Sequence, residues 1–385
     1  MQGRNYWCCA LHLVLLLCCC VPLLAQPPHK LQPAEPIVLP FVIDSNTPGL
    51  WVDGNYRMYS SAGDPMVTTF HAQRQEYRTE RVVLDRQDHI PVWIESVWRD
   101  GDGVVYGWYH HERIGLCAGV SLNVPEIGAL VSYDGGKSFT DLGIILSSGE
   151  ENDCAARNGF FANGHGDFSV IRDREGEYFY FLFGAYGGDV SAQGVAVARL
   201  PAGHVSSPVG NVWKYHDGTW SEPGLGGRLT PIFPATVSWR AENTDAFWGP
   251  SVHWNTHLNA YVAVMNRSCC GPGWPQEGIY LTMNANLADP AGWSAPVRIL
   301  EGGDWYPWLL GTGEGESSSE AGARVRFFVR EKSDWEIVFG PEEATGGEVQ
   351  PPAPAEPAPP AEGEPAAPGV SGSTPDEGEA PGSTL

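Results

Sequence analysis

Basic residues are scarce in this chain: 23 Lys and Arg stand against 46 Asp and Glu in 385 residues, a net charge of −23. Residues 341–385 hold nine acids and no Lys or Arg, and residues 1–25 hold one Arg, which leaves −15 on residues 26–340. A surface that grips phosphate needs clustered Lys and Arg, so nucleic acid is excluded as a partner, and anionic membrane surfaces with it. No two cysteines have the CxxC spacing of a metal knuckle. Long runs with a helical apolar period are missing too. Large apolar residues are nearly absent from residues 341–385, a Pro, Ala, Glu, Gly and Ser tract that cannot bury enough surface to offset its ordering entropy. It reads as a disordered acidic tail.

The other end has a different deficit. Residues 7–24 carry no charge, follow Arg4 and lead to Ala25, the pattern of a secretory signal peptide over residues 1–25. An uncleaved anchor is the alternative; cleavage predicts a secreted protein, extracellular or periplasmic, with no membrane attachment. Five of the nine cysteines lie in that segment, leaving Cys117, Cys154, Cys269 and Cys270. Four cysteines in an exported chain predict disulfides with three connectivities, or else free buried thiols. Adjacent Cys269 and Cys270 are expected to pair elsewhere rather than with each other.

Between the two ends, residues 26–340 form one block without an internal linker. It is built of short β-branched and aromatic runs separated by Gly, Pro, Asp and Asn, which reads as all-β. Residues 164–183, GHGDFSVIRDREGEYFYFLF, hold an acid, an alternating run, an Asp/Gly turn and a second run: a β-hairpin with Asp167 in front of it. The same sketch recurs after Asp44 (turn at Asp53-Gly54) and Glu95 (turn at 100–103), and without the acid at 247–264 and 305–329. Five hairpins at blade-sized spacing predict a five-bladed β-propeller of four-stranded antiparallel blades. Outer strands of blade one are expected at 66–70 and 80–84, and residues 36–42 as an edge strand closing the ring. Residues 132–139, SYDGGKSF, fit the Asp-box hairpin, which makes Asp134 structural. Asp53, Asp100 and Asp173 are expected to cap turns. Asn266-Arg267-Ser268 is a formal N-glycosylation acceptor.

The inner strands of a propeller line one channel, so Asp44, Glu95 and Asp167 are expected to converge at one mouth. Crowded carboxylates push their pKa values apart, so that one stays protonated while another is ionised. Glycosidic cleavage needs that pairing of general acid and general base. Trp51, Trp93, Trp248, Trp305 and Tyr306 offer rings for the apolar faces of sugars, and His111, His165 and His253 offer polar contacts, His165 by orienting Asp167 or a sugar hydroxyl. Each acid can equally cap a strand, and each ring or His can equally be core.

These features resemble the five-bladed β-propeller glycoside hydrolases of the family 43 type. FWGPSVHWNTHLNAYV at 247–262 is similar to the group's fourth inner hairpin, and QEGIYLT at 276–282 to the strand after it. The resemblance covers about residues 40–340. It implies an inverting mechanism with an Asp base in blade one, a pKa-tuning Asp in blade two and a Glu acid in blade three. Asp44 matches the base, while Glu95 and Asp167 carry the opposite residue types, leaving Glu112 and Glu277 as further candidates for the acid. It implies a carbohydrate substrate, no organic cofactor, and in some relatives a calcium ion on the channel axis held by a histidine and waters. The expectation is therefore a secreted glycoside hydrolase; a carbohydrate-binding propeller without catalysis, or a surface-display protein with the tail as spacer, are the rivals.

Overall fold

The computed structural model describes residues 29–71 and 73–340; the expected signal segment and acidic tail lie outside them. Among the described residues, apart from three single-turn 3-10 helices, the regular structure is strand, and it forms five sheets. The chain is a five-bladed β-propeller. Blade one is Gly49–Val52, Asn55–Ser60, Met66–His71 and Glu76–Arg81. Blade two is Val92–Arg99, Val105–Arg113, Val124–Ser132 and Ser138–Leu146. Blade three begins with His165–Arg172, Tyr178–Ala185 and Gly194–Pro201, and blade four with Ala246–Asn255, Ala260–Ser268 and Gln276–Asn284. Blade five is Pro307–Gly311, Arg324–Val329 and Lys332–Phe339, completed by His29–Val38 from the other end of the chain, antiparallel to Lys332–Phe339.

The turns form for local reasons. Asp53 and Gly54 both have positive φ (50° and 74°), as a two-residue hairpin turn of the type that matches strand twist requires. Asp100 Oδ1 accepts from the N–H groups of Asp102 and Val104, and the Asp173 carboxylate from those of Glu177 and Tyr178. Asp134 accepts from Lys137 N, Ser138 N and Ser138 Oγ, so the Asp-box is a hairpin on the outer strands of blade two.

Both faces of the middle strands of blades two to four are buried, because each of these blades is sandwiched between two others. In Tyr178–Ala185, Phe179, Phe181 and Phe183 pack toward blade two with Trp108, while Tyr180 and Leu182 pack toward blade four with Val252 and Trp254. Period-2 alternation therefore sorts residues between two cores rather than between core and solvent.

Two sequence expectations are corrected in detail. The ring-closing strand is His29–Val38 rather than residues 36–42. Residues 80–84 split: Glu76–Arg81 stays in blade one, and Val83–Leu84 joins blade two, parallel to Ser138-Phe139. Cys117 is disulfide-bonded to Cys154, one of the pairings that the sequence left open.

Candidate active site

Three of the five innermost strands carry a β-bulge at the same level. In blade two the pairing register skips Glu95, in blade three it skips Asp167, and in blade four it skips Gly249-Pro250. A bulge re-aims the extra residue out of the strand's alternation, and Asp167 shows this with φ of +44°. Blade one reaches the same level before its strand begins, where Asp44 N–H donates to Ser61 O at 2.9 Å. In blade five the place belongs to Tyr306, φ +57°.

The re-aimed acids meet around one imidazole. His110, from the second strand of blade two, is hydrogen-bonded through Nδ1 to Glu95 Oε1, and its Nε2 lies 3.9 Å from Glu112 Oε1. Trp93 stacks on the ring at 4.7 Å. Burial alone would push His110 down, but the Glu95 carboxylate and its hydrogen bond, backed by Asp167 and Glu112, outweigh it and hold the imidazolium up to about 9. Asp167, also buried, accepts a hydrogen bond from the Tyr186 hydroxyl; burial and then the Glu95 charge push its carboxyl up to about 6. Asp44 and Glu112 are partly exposed and both are pushed up by burial, against the pull of Arg330 and His110 on Asp44 and of His110 on Glu112. Glu112 Oε2 accepts from Asn123 Nδ2 at 2.5 Å. Four carboxylates from three blades thus share one protonated histidine.

An aromatic cluster continues from the acids through Tyr186 and Tyr306. It contains Phe161, Trp239, Trp248 and Trp274, with Phe160 and Trp305 against it. Trp274, on the loop between the second and third strands of blade four, is 4 % exposed and contacts the rings of Phe160, Trp239 and Trp248 at 4.4–5.3 Å between centroids.

Of the expected site residues, the structure gathers Asp44, Glu95, Asp167 and Glu112, with Trp93 and Tyr306 beside them, and Trp248 and Trp305 lie against Tyr306 in the aromatic cluster. The others are elsewhere. Glu277 is held by Arg298 and the Tyr280 hydroxyl on the third strand of blade four. Trp51 lies seven residues beyond Asp44, its indole donating to Glu316 O. His111 faces away from His110 by strand alternation and stacks on His89. His165 packs on Phe183 and bonds its own neighbour's carbonyl, so Tyr186, not His165, holds Asp167. His253 is buried beside Asn255, and burial pushes it down to about 3. Asn266 is fully buried and binds Asp304 O and Tyr306 N, so it is no glycan acceptor. His110, Tyr186, Trp239 and Trp274 were not singled out from the sequence; the only signal for His110 was that two adjacent histidines on a strand must face opposite ways.

Glu95, His110 and Asp167 are close enough to share an ion, with ligand atoms within 4.8 Å of one another. In this structure the imidazole is hydrogen-bonded to Glu95, and Asp167 accepts from Tyr186. In the cluster of Asp245, Cys269 and Cys270, both Asp245 oxygens are taken by Arg267.

No family model and no curated protein matches the chain. Solved structures to which it is similar include an exo-β-1,3-galactanase from Phanerochaete chrysosporium (14 % identity over 69 % of this chain and 54 % of that one, TM-score 0.42). A thermostable family-43 glycoside hydrolase (12 %, 78 % and 91 %, 0.46) and an endo-arabinase from Bacteroides thetaiotaomicron (13 %, 79 % and 95 %, 0.46) are others. The chain spans about half the length of the galactanase. At these identities and scores the likeness decides nothing about activity.

Proposed function

We propose that the chain is a secreted glycoside hydrolase acting on an oligo- or polysaccharide by direct attack of water. The observation that carries this reading is the gathering of Asp44, Glu95, Glu112 and Asp167 around His110 at one end of the propeller axis. Asp167, protonated up to about pH 6, is the general acid for the leaving oxygen, and partly exposed Asp44 is the general base for water. Glu95, locked to His110, keeps a negative charge beside Asp167 and so keeps the acid protonated. Glu112 and Asn123 stand at the rim to meet sugar hydroxyls. The Cys117–Cys154 bond fits an oxidising compartment, and among the described residues no helix is long and apolar enough to cross a membrane.

The aromatic cluster is compatible with a second reading, a carbohydrate-binding propeller without catalysis, because Trp274 and its neighbours pack mainly on one another. The hydrolase reading requires residues 269–275 to move to admit substrate. Screening hydrolysis of aryl glycosides and plant or algal polysaccharides separates the two: binding without turnover at any pH between 4 and 8 supports the second.

A further inference from the structure

Acceptors from three blades converge on a single nitrogen at the propeller axis. Asn46 Nδ2, contributed by blade one, lies 2.7 Å from Phe168 O of blade three, 2.9 Å from Pro250 O of blade four and 3.4 Å from Glu95 Oε2 of blade two. The Asn46 backbone N–H approaches the same Glu95 oxygen at 3.4 Å. The two carbonyls are available because each adjoins a bulge that takes it out of its ladder. The amide orientation follows from its partners: turned over, Oδ1 would face three oxygens. Below this point the axis is lined by Thr47, Ser96, Ser169, Ser251 and Ser318, around a cavity of about 20 Å³, room for about one water.

Two carbonyls and a carboxylate around one centre are a ligand set that a hard cation such as calcium takes. Here the centre is filled by an NH2 group, whose two protons serve the two carbonyls. We propose that Asn46 ties four blades together in the place of an axial cation, so that the axis of this propeller is metal-independent. A calcium ion does not fit at this centre, since the oxygens that would hold it there are already taken by the Asn46 amide. The inference rests on the axis alone and stands whether or not the protein hydrolyses glycosides.

The test is thermal unfolding of the full chain in EDTA and in millimolar calcium chloride, with calcium titrated directly by calorimetry. The wild type is expected to melt at one temperature in both buffers and to take up no calcium. Asn46→Ala is expected to melt lower, equally in both. Asn46→Asp exchanges the donor for a fourth oxygen ligand, and is expected to melt low in EDTA and to be restored by calcium with measurable binding, which a general packing defect would not show. A wild-type melting temperature that falls in EDTA, an Asn46→Ala protein as stable as wild type, or an Asn46→Asp protein that calcium does not rescue would each overturn the proposal.

Discussion

At the scale of single residues, the site is a contest between burial and charge, and pH reads the outcome. His110 is held above its ordinary 6.5 to about 9, and Asp167 above 3.8 to about 6. Both folded values are raised, so each contributes stability that is present at low pH and is lost as pH rises through the folded value. The melting temperature is therefore expected to fall in two stages, between pH 4 and 6 as Asp167 ionises and between 6.5 and 9 as His110 loses its proton. Glu95→Gln removes the charge that holds the imidazolium, so its pH–stability curve is expected to be flat across the second stage; an unchanged drop would mean another group titrates there. The acids themselves were legible because residue type and place before a hairpin are sequence properties. Asn46 and His110 were not, since their roles depend on bulges in other blades, and a bulge leaves no mark in hydrophobic alternation.

Elements show the same division. Hairpins announced themselves through Asp-Gly turns and alternating runs, and the five blades followed from counting them. Strand ends did not: Val83–Leu84 left its blade because two residues can pair with whichever edge lies beside them. The loop over residues 269–275 was silent in sequence because its one large residue, Trp274, is placed by contacts with Phe160, Trp239 and Trp248, all distant in the chain. Removing that ring leaves a large void, which costs on the order of 3–5 kcal/mol. Trp274→Ala is thus expected to lower stability by that amount in chemical denaturation while leaving kcat/KM on small aryl glycosides undiminished. A folded variant with activity lost would make Trp274 a substrate platform instead of a cover. Asp134→Ala, in the Asp-box hairpin, is expected to lower the melting temperature with no effect on kcat.

For the whole molecule, closure and cross-linking dominate. The first described strand, His29–Val38, completes blade five, and the Cys117–Cys154 bond ties the loop after the second strand of blade two to the segment leading into blade three, 37 residues apart. By loop-closure entropy that bond is worth about 4 kcal/mol, so Cys117→Ser is expected to lose about that much in denaturant unfolding, and dithiothreitol to bring the wild type down to the same level. Hydrolysis requires the acids to be chemical rather than structural. The most direct measurement is kcat/KM for glycoside hydrolysis between pH 4 and 8 with wild type, Asp44→Asn and Asp167→Asn, each shown folded by circular dichroism. Loss of general acid or base is expected to lower the rate by about 10²–10⁴-fold in each variant, with a wild-type profile that declines above pH about 6. Wild-type rates in both folded variants would contradict it.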